Sequence, residues 1–288
     1  MNSRAALTAS LLATLAGCGD SPLSTDASIA RDARVLEVDA RALDGAVISP
    51  DASPPPLDAG PTLTGCAAHD YLFCEDFESA APGALPSGWV VGSGWMDGAP
   101  SVTDDEHHGG MRALHSAVAQ SGQHRAEHSL AMLGAARGHH WGRVFYTVET
   151  PFFTPAAGSV VHNTMVGLLG STECRVVDTV VSSTGAHQFL FNIPDDSCCV
   201  GSPYDYRSYD GEWHCAEWEI NEAGQSYRFF FDGEEVTSIA VMYGTDMRAH
   251  IESFNTLALG WRNYQMATTP YQSYFDDLAL DDTRIGCE

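Results

Sequence analysis

From Cys66 onward the chain is written in short runs in which apolar and polar residues alternate or aromatic residues cluster. Examples are "YLFCEDF", "RALHSAV", "HRAEHSLAML", "RVFYTVET", "TMVGLLG", "HQFLFNI", "HCAEWEI", "YRFFFDG", "TLALGW" and "YFDDLAL", separated by Gly, Pro, Asp and Asn. A period of two is the mark of a strand with one buried face, and no long segment carries the helical period. The pattern predicts an all-β sandwich over residues 65–288, counted as one domain, with no repeat of fixed length.

One stretch fixes local pairing. In "GEWHCAEWEINEAGQSYRFFFDGEEVTSI", Trp213 to Ile220 reads as one strand, "NEAGQ" as a turn, and Tyr227 to Phe231 as the returning strand. Asp232-Gly233 then supplies a tight turn needing positive φ, leading to Val236.

The first part of the chain behaves differently. "MNSRAALTASLLATLAGCGD" has one Arg, a short apolar run and small residues before a cysteine. Such a run fits the apolar core of a secretory signal and is too short for a membrane span. Leu15-Ala16-Gly17-Cys18 resembles the lipobox of bacterial lipoproteins, which implies a signal peptide over 1–17 and a lipid on Cys18. Residues 18–64 are rich in Asp, Ala, Ser and Pro, have no aromatic side chain, and cannot bury enough apolar surface to offset chain entropy. They are expected to form a disordered tether on an exported protein of the bacterial cell envelope, its membrane contact made through the lipid anchor alone.

The chain has 288 residues with a formal net charge of -24, and all 14 of its basic residues are Arg. No lysine is present for a Schiff base or a phosphate loop, and a field of that sign excludes broad binding of nucleic acid. A monomer is expected. Serine-hydrolase elbows, H-E-x-x-H, C-x-x-C pairs and dinucleotide glycine fingerprints are absent from the sequence.

The Trp-His opening of the "WHCAEW" strand and the aromatic strand ending in Asp-Gly resemble the concanavalin A-like lectin and glucanase superfamily. Together with "FCEDFES", "LPSGW", "HHGGMRAL" and "YFDDLALDDTRIGC", they look like its cellulose-induced-protein and polysaccharide-lyase-like branch, over about residues 71–288. The resemblance implies a jelly roll of two curved antiparallel sheets. In that fold first and last strands commonly lie side by side, which would set Cys74 to Ser79 against "YFDDLAL" and crowd carboxylates together. Calcium, which takes six to eight oxygens, is the neutraliser expected outside the cell, and the resembled family carries one structural calcium at this junction. Carried over, its ligands are Glu78, carbonyls of Asp104 to Gly110, and Asp276 or Asp277. Leu278 and Leu280 should face the core, which puts Asp276 inward and Asp277 outward, so Asp276 is the first choice. Cys287 has Cys74 or Cys66 as its expected partner, and the seven cysteines after Cys18 leave one thiol over.

Three kinds of site come into view. Glu217, Glu219 and Glu222 in "EWEINE" look like a glucanase acid array but lie inside the hairpin, where that family's catalytic strand does not fall; "GLLGSTECRVVDTVV" upstream offers no equivalent. A polysaccharide lyase acting by β-elimination on a uronate polymer needs a group to neutralise the carboxylate, a base and an acid. Its candidates are Arg125 with Glu127 in "QHRAEHS", His187 and Gln188 in "AHQFLFN", and Arg262 with Tyr264 in "GWRNYQ". A domain with 30 acidic and 10 basic residues would repel such a polymer unless the groove is locally basic. Binding without catalysis needs only aromatic rings for stacking, which Trp89, Trp95, Trp141, Trp261, Tyr204, Tyr206 and Tyr209 can supply. The leading expectation is a surface-anchored, polysaccharide-binding lipoprotein. The lyase is its alternative, and a structural or adhesive envelope protein the third reading.

Overall fold

The computed structural model describes residues 65–67, 69–94, 98–193, 198–241, 251 and 253–287. The signal segment, Cys18, the tether, Trp95 and the side chains of Cys198 and Cys199 lie outside them. The strands are β1 (Phe73–Glu75), β2 (Val90–Val91), β3 (Ser101–Thr103), β4 (Ala113–Val118), β5 (Gly122–Ser129), β6 (His139–Val148), β7 (Val160–Leu169) and β8 (Glu173–Ser182). There follow β9 (His187–Ile193), β10 (Cys198–Gly201), β11 (His214–Asn221), β12 (Ser226–Phe231), β13 (Glu234–Glu235), β14 (Thr256–Asn263) and β15 (Tyr271–Asp281).

They form two antiparallel sheets, as the alternation predicts. One runs β13-β12-β11-β6-β15-β4-β3 with β1 added on β15, the other β10-β9-β8-β7-β14-β5-β2. Between them lies a core whose largest fully buried side chains include Trp218, Trp261, Tyr146, Tyr227, Tyr271, Phe189, Phe229 and Phe275. Gly142 stands opposite Trp218 in the β6–β11 pair, and a Cβ there would run into the indole, so only glycine leaves that ring its seat. The hairpin read from sequence is β11–β12, with Trp218 opposite Phe229 and Asp232 and Gly233 both at positive φ.

The first and last strands do meet. Phe73 faces Leu280, Cys74 faces Ala279, and Glu75 faces Leu278. Each chain end is stapled close by, through Cys66–Cys74 and Cys215–Cys287, and Cys174 is free and buried. Cys287 therefore pairs with Cys215 on β11 rather than with Cys74 or Cys66, because the last residues run past β15 onto the outer side of β11. There Glu217, fully buried, accepts from Ile285 and Gly286 N–H and from Arg284. Two disulfides fit an oxidising compartment. Among the described residues no helix is long and apolar enough to cross a membrane.

His214 ties the start of β11 to two acidic turns, with Nδ1 at 2.8 Å from Asp232 and Nε2 at 3.1 Å from Asp210. Burial works against the charged imidazole, but the bonds to Asp232 and Asp210 outweigh it and raise its pKa. A raised folded-state pKa gives stability that is complete below the unfolded value and is lost as pH rises through the folded one. Chemical denaturation at a series of pH values should therefore show the wild type losing its advantage over His214→Asn across that window, whereas a constant difference would mean that the ring does not titrate there.

Candidate functional site

On the seven-stranded sheet, Leu257, Leu259 and Trp261 of β14 point into the core, so Arg262 and the following Tyr264 point away from it. The same alternation turns Gln123, Arg125 and Glu127 outward on β5, where Arg125 stands opposite Gly260 and Gln123 opposite Arg262. From β7 come His162 and Thr164, from β8 Glu173, Arg175 and Asp178, and from β9 Gln188 and Asn192. A bulge in β8 between Arg175 and Asp178 keeps both on this face although they are three positions apart.

The centre of the array is a cluster of three arginines about one carboxylate. Glu173 Oε1 accepts from Arg125 Nη1, Oε2 accepts from Arg262 Nη1 at 2.9 Å, and Arg175 Nε lies 3.7 Å from Oε2, beyond hydrogen-bond reach. Burial alone would raise the Glu173 carboxyl, but the guanidiniums of Arg125, Arg262 and Arg175 hold it below the usual carboxylate range. Arg125 is also braced by Gln123 Oε1 at 2.9 Å, and Gln123 in turn donates to the Ser93 carbonyl at 2.6 Å. Arg175 and Arg262 each lie 4.3 Å from the centre of the Tyr264 ring. The Nε groups of Arg175 and Arg262 are buried donors with no acceptor, and a buried donor left unmade is costly.

Beside the arginines runs a polar chain. Thr164 Oγ1 lies 3.2 Å from the Tyr264 hydroxyl and donates to Asp178 Oδ1 at 2.5 Å. Asp178 Oδ2 meets His162 Nε2 at 2.6 Å, and the His162 ring stacks on Tyr264 with centroids 4.4 Å apart. Burial, with Asp178 and Glu173 adding to it, pushes the Tyr264 hydroxyl up to about 12, so it is a proton donor at neutral pH.

Of the residues read from sequence, Arg125, Arg262 and Tyr264 come together here. Gln188 shares the face but lies toward its far side, its amide donating to the Tyr204 hydroxyl at 3.2 Å. His187, its neighbour on the strand, points the other way into the core. It is fully buried, bonded to Ser208 and stacked on Tyr209, and burial pushes its pKa down to about 3. Sequence reasoning missed Glu173, Arg175, Asp178 and His162. The i, i+2 spacing of Glu173 and Arg175 in "ECRVV" was the available signal. The tryptophans expected to form a stacking platform are buried at positions 89, 141 and 261, Tyr209 is in the core, and Tyr204 alone of the named rings is exposed among the described residues. Glu217, Glu219 and Glu222 are each engaged structurally, the latter two by His139 and by the Phe254 N–H.

The acidic junction forms a second cluster. Glu78 Oε1 accepts from Met111 and Arg112 N–H at 2.6 and 2.8 Å, and Asp276 Oδ2 from His108 and Gly109 N–H at 2.9 and 3.0 Å. Both carboxylates thus reach the same turn of residues 108–112. Asp277 is buried rather than exposed. A bulge in β15 after Asp276 places Asp277 at φ 47°, which breaks the alternation and buries both side chains. Asp277 then meets His108 Nδ1 at 2.8 Å and packs against Gly65 and Gly109, where a Cβ would collide with its carboxylate. Burial and the neighbouring Asp277 push the Asp276 carboxyl up to about 8. Among the described residues, no group of three or more His, Cys, Asp or Glu side chains is spaced as a metal centre by itself.

No protein-family model matches the chain, and no curated protein matches it. Among solved structures it is similar to the cellulose induced protein Cip1, at 15% identity and a TM-score of 0.55, over 75% of this chain and all of that one. An endo-β-1,4-glucuronan lyase from the fungus Trichoderma reesei aligns at 13% identity and a TM-score of 0.48, over 74% of this chain and 96% of that one. A sialidase aligns at 10% identity and a TM-score of 0.45, over 74% of this chain and 19% of that one. The likeness to Cip1 bears on the fold: the chain carries a two-sheet jelly roll of that architecture.

Proposed function

We propose that the domain binds an acidic polysaccharide, with uronate carboxylates seated on the outer face of the seven-stranded sheet, and that it does so as an exported lipoprotein tethered through Cys18. The observation that carries this reading is the arginine cluster. In a domain with 30 acidic and 10 basic residues, Arg125, Arg175 and Arg262 gather about a single carboxylate. That is the locally basic surface a polyanion requires, and a planar carboxylate is the natural acceptor for a guanidinium edge. Affinity electrophoresis against acidic and neutral polysaccharides tests it, with retardation by the acidic polymers alone as the supporting result.

A second reading, the lyase, is favoured by the Tyr264 hydroxyl and the His162–Asp178 pair lying beside those arginines. In β-elimination a base removes the C5 proton, the C4–O bond breaks, a C4–C5 double bond forms, and the leaving oxygen takes up a proton. Guanidiniums on the uronate carboxylate would stabilise the charge that builds up as C5 loses its proton. Protonated Tyr264 suits the acid, and His162, held by Asp178, suits the base. Incubation with uronate polymers should then raise ultraviolet absorbance from the unsaturated product, and Tyr264→Phe should abolish that signal while binding persists. Retardation without any absorbance change leaves a binding protein, and the absence of both leaves a structural or adhesive role.

Calcium at the chain-end junction belongs to the same proposal. Oxygens of Glu78, Asp276 and Asp277, with carbonyls of Asp104 to Gly110, would make an oxygen-only donor set, which suits a hard cation. Its part would be to neutralise the buried carboxylates and hold the first and last strands to the turn that joins them.

A further inference from the structure

We infer that Glu173 is the positioning residue of the glycan site: it fixes the arginines for a bound carboxylate, so that removing its negative charge weakens binding of a polyanion. The inference rests on the acidic-polysaccharide reading and goes beyond it, because simple electrostatics gives the opposite sign. A carboxylate within an anion site should repel the ligand, and its loss should tighten binding.

The geometry argues otherwise. Glu173 engages Nη groups of Arg125 and Arg262, leaving the Nε groups of Arg262 and Arg175 without an acceptor next to Tyr264. With Arg175 Nε 3.7 Å from Glu173 Oε2, the one carboxylate lies against all three guanidiniums and sets where they stand. Arg125 is 3% exposed, and the Arg175 and Arg262 side chains are 11% and 23% exposed. Three guanidiniums so close and so dry repel one another strongly, and Glu173 is the carboxylate bonded to two of them and close to the third. With Glu173 neutral, they would turn apart toward water, and the Tyr264 ring would lose its contacts with Arg175 and Arg262. The backbone is built around this carboxylate as well. A Cβ on Gly167 would come within 2.6 Å of Glu173 Oε1 and 3.1 Å of Arg125 Nη1, so glycine at that position gives the ion pair its space.

The test is calorimetric titration of the full chain with a uronate polymer, at fixed pH and two salt concentrations. Glu173→Gln should weaken binding about tenfold or more, and Glu173→Asp, which keeps the charge, should recover part of the loss. Gly167→Ala changes no charge yet should weaken binding in the same direction, and it carries the test if Glu173→Gln fails to fold by circular dichroism. Tighter or unchanged binding by Glu173→Gln, or full affinity in Gly167→Ala, overturns the role of Glu173 while leaving the site intact. No binding by the wild type overturns both.

Discussion

Replacing Arg175 and Arg262 together by alanine is expected to lower affinity for a uronate polymer roughly a hundredfold or more. Each guanidinium can give a ligand carboxylate a charge-assisted hydrogen bond, which contributes about 1.5–3 kcal/mol. Two such bonds amount to about 3–6 kcal/mol, and each 1.4 kcal/mol or so is a factor of ten. Arg262→Lys should fall in between. It retains the charge but loses the flat fork and most of the contact with the Tyr264 ring. Glu173 would keep Arg125 as its partner in the double variant, so an unchanged melting temperature would separate lost binding from lost folding. Affinity within twofold of wild type would remove the arginine cluster from any role in recognition.

Chelation should produce the largest change in stability. A cation that binds only the folded state, present at about a thousand times its Kd, stabilises that state by about 4 kcal/mol. For a domain of this size each kcal/mol is worth about 2–4 °C in Tm. Scanning calorimetry with excess calcium and then with excess chelator should show Tm falling by roughly 10 °C on that basis. Asp276→Asn should reduce the difference to a small fraction. Asp276 is the natural probe because it is fully buried, receives N–H bonds from His108 and Gly109, and has Asp277 as its like-charged neighbour. A chelator that leaves Tm unmoved would remove the cation from the account of the chain-end junction.

What the sequence revealed and concealed follows from how local each signal is. The β11–β12 hairpin was legible because its turn chemistry and its alternating aromatics lie within one short stretch. The meeting of β1 with β15 was legible through the resemblance, since both carry acidic, cysteine-flanked motifs. The burial of Asp277 escaped alternation, which assumes an unbroken ladder, because β15 slips register between Asp276 and Ala279 with Asp277 itself in the left-handed region. His187 and Gln188 were taken together although adjacent residues on a strand face opposite ways, so only one of them could reach the outer face. The cluster itself was half visible. Arg125, Arg262 and Tyr264 stand in recognisable motifs, whereas Glu173, Arg175 and Asp178 sit in "ECRVVD", which has no motif and gains its meaning from pairing with β7 and β9. A bulge and a long-range register are three-dimensional facts with no short sequence signature.

Specific recognition of uronate carboxylates by the arginine face is tested most directly by offering the wild-type protein one polysaccharide in two forms, native and with its carboxyl groups chemically reduced to alcohols. Chain length, linkage and hydroxyl pattern are then shared, and only the group that would meet Arg175 and Arg262 differs. Saturable binding of the native form that is lost on carboxyl reduction and weakens with added salt is the expected result. Equal affinity for the reduced, neutral form would contradict it.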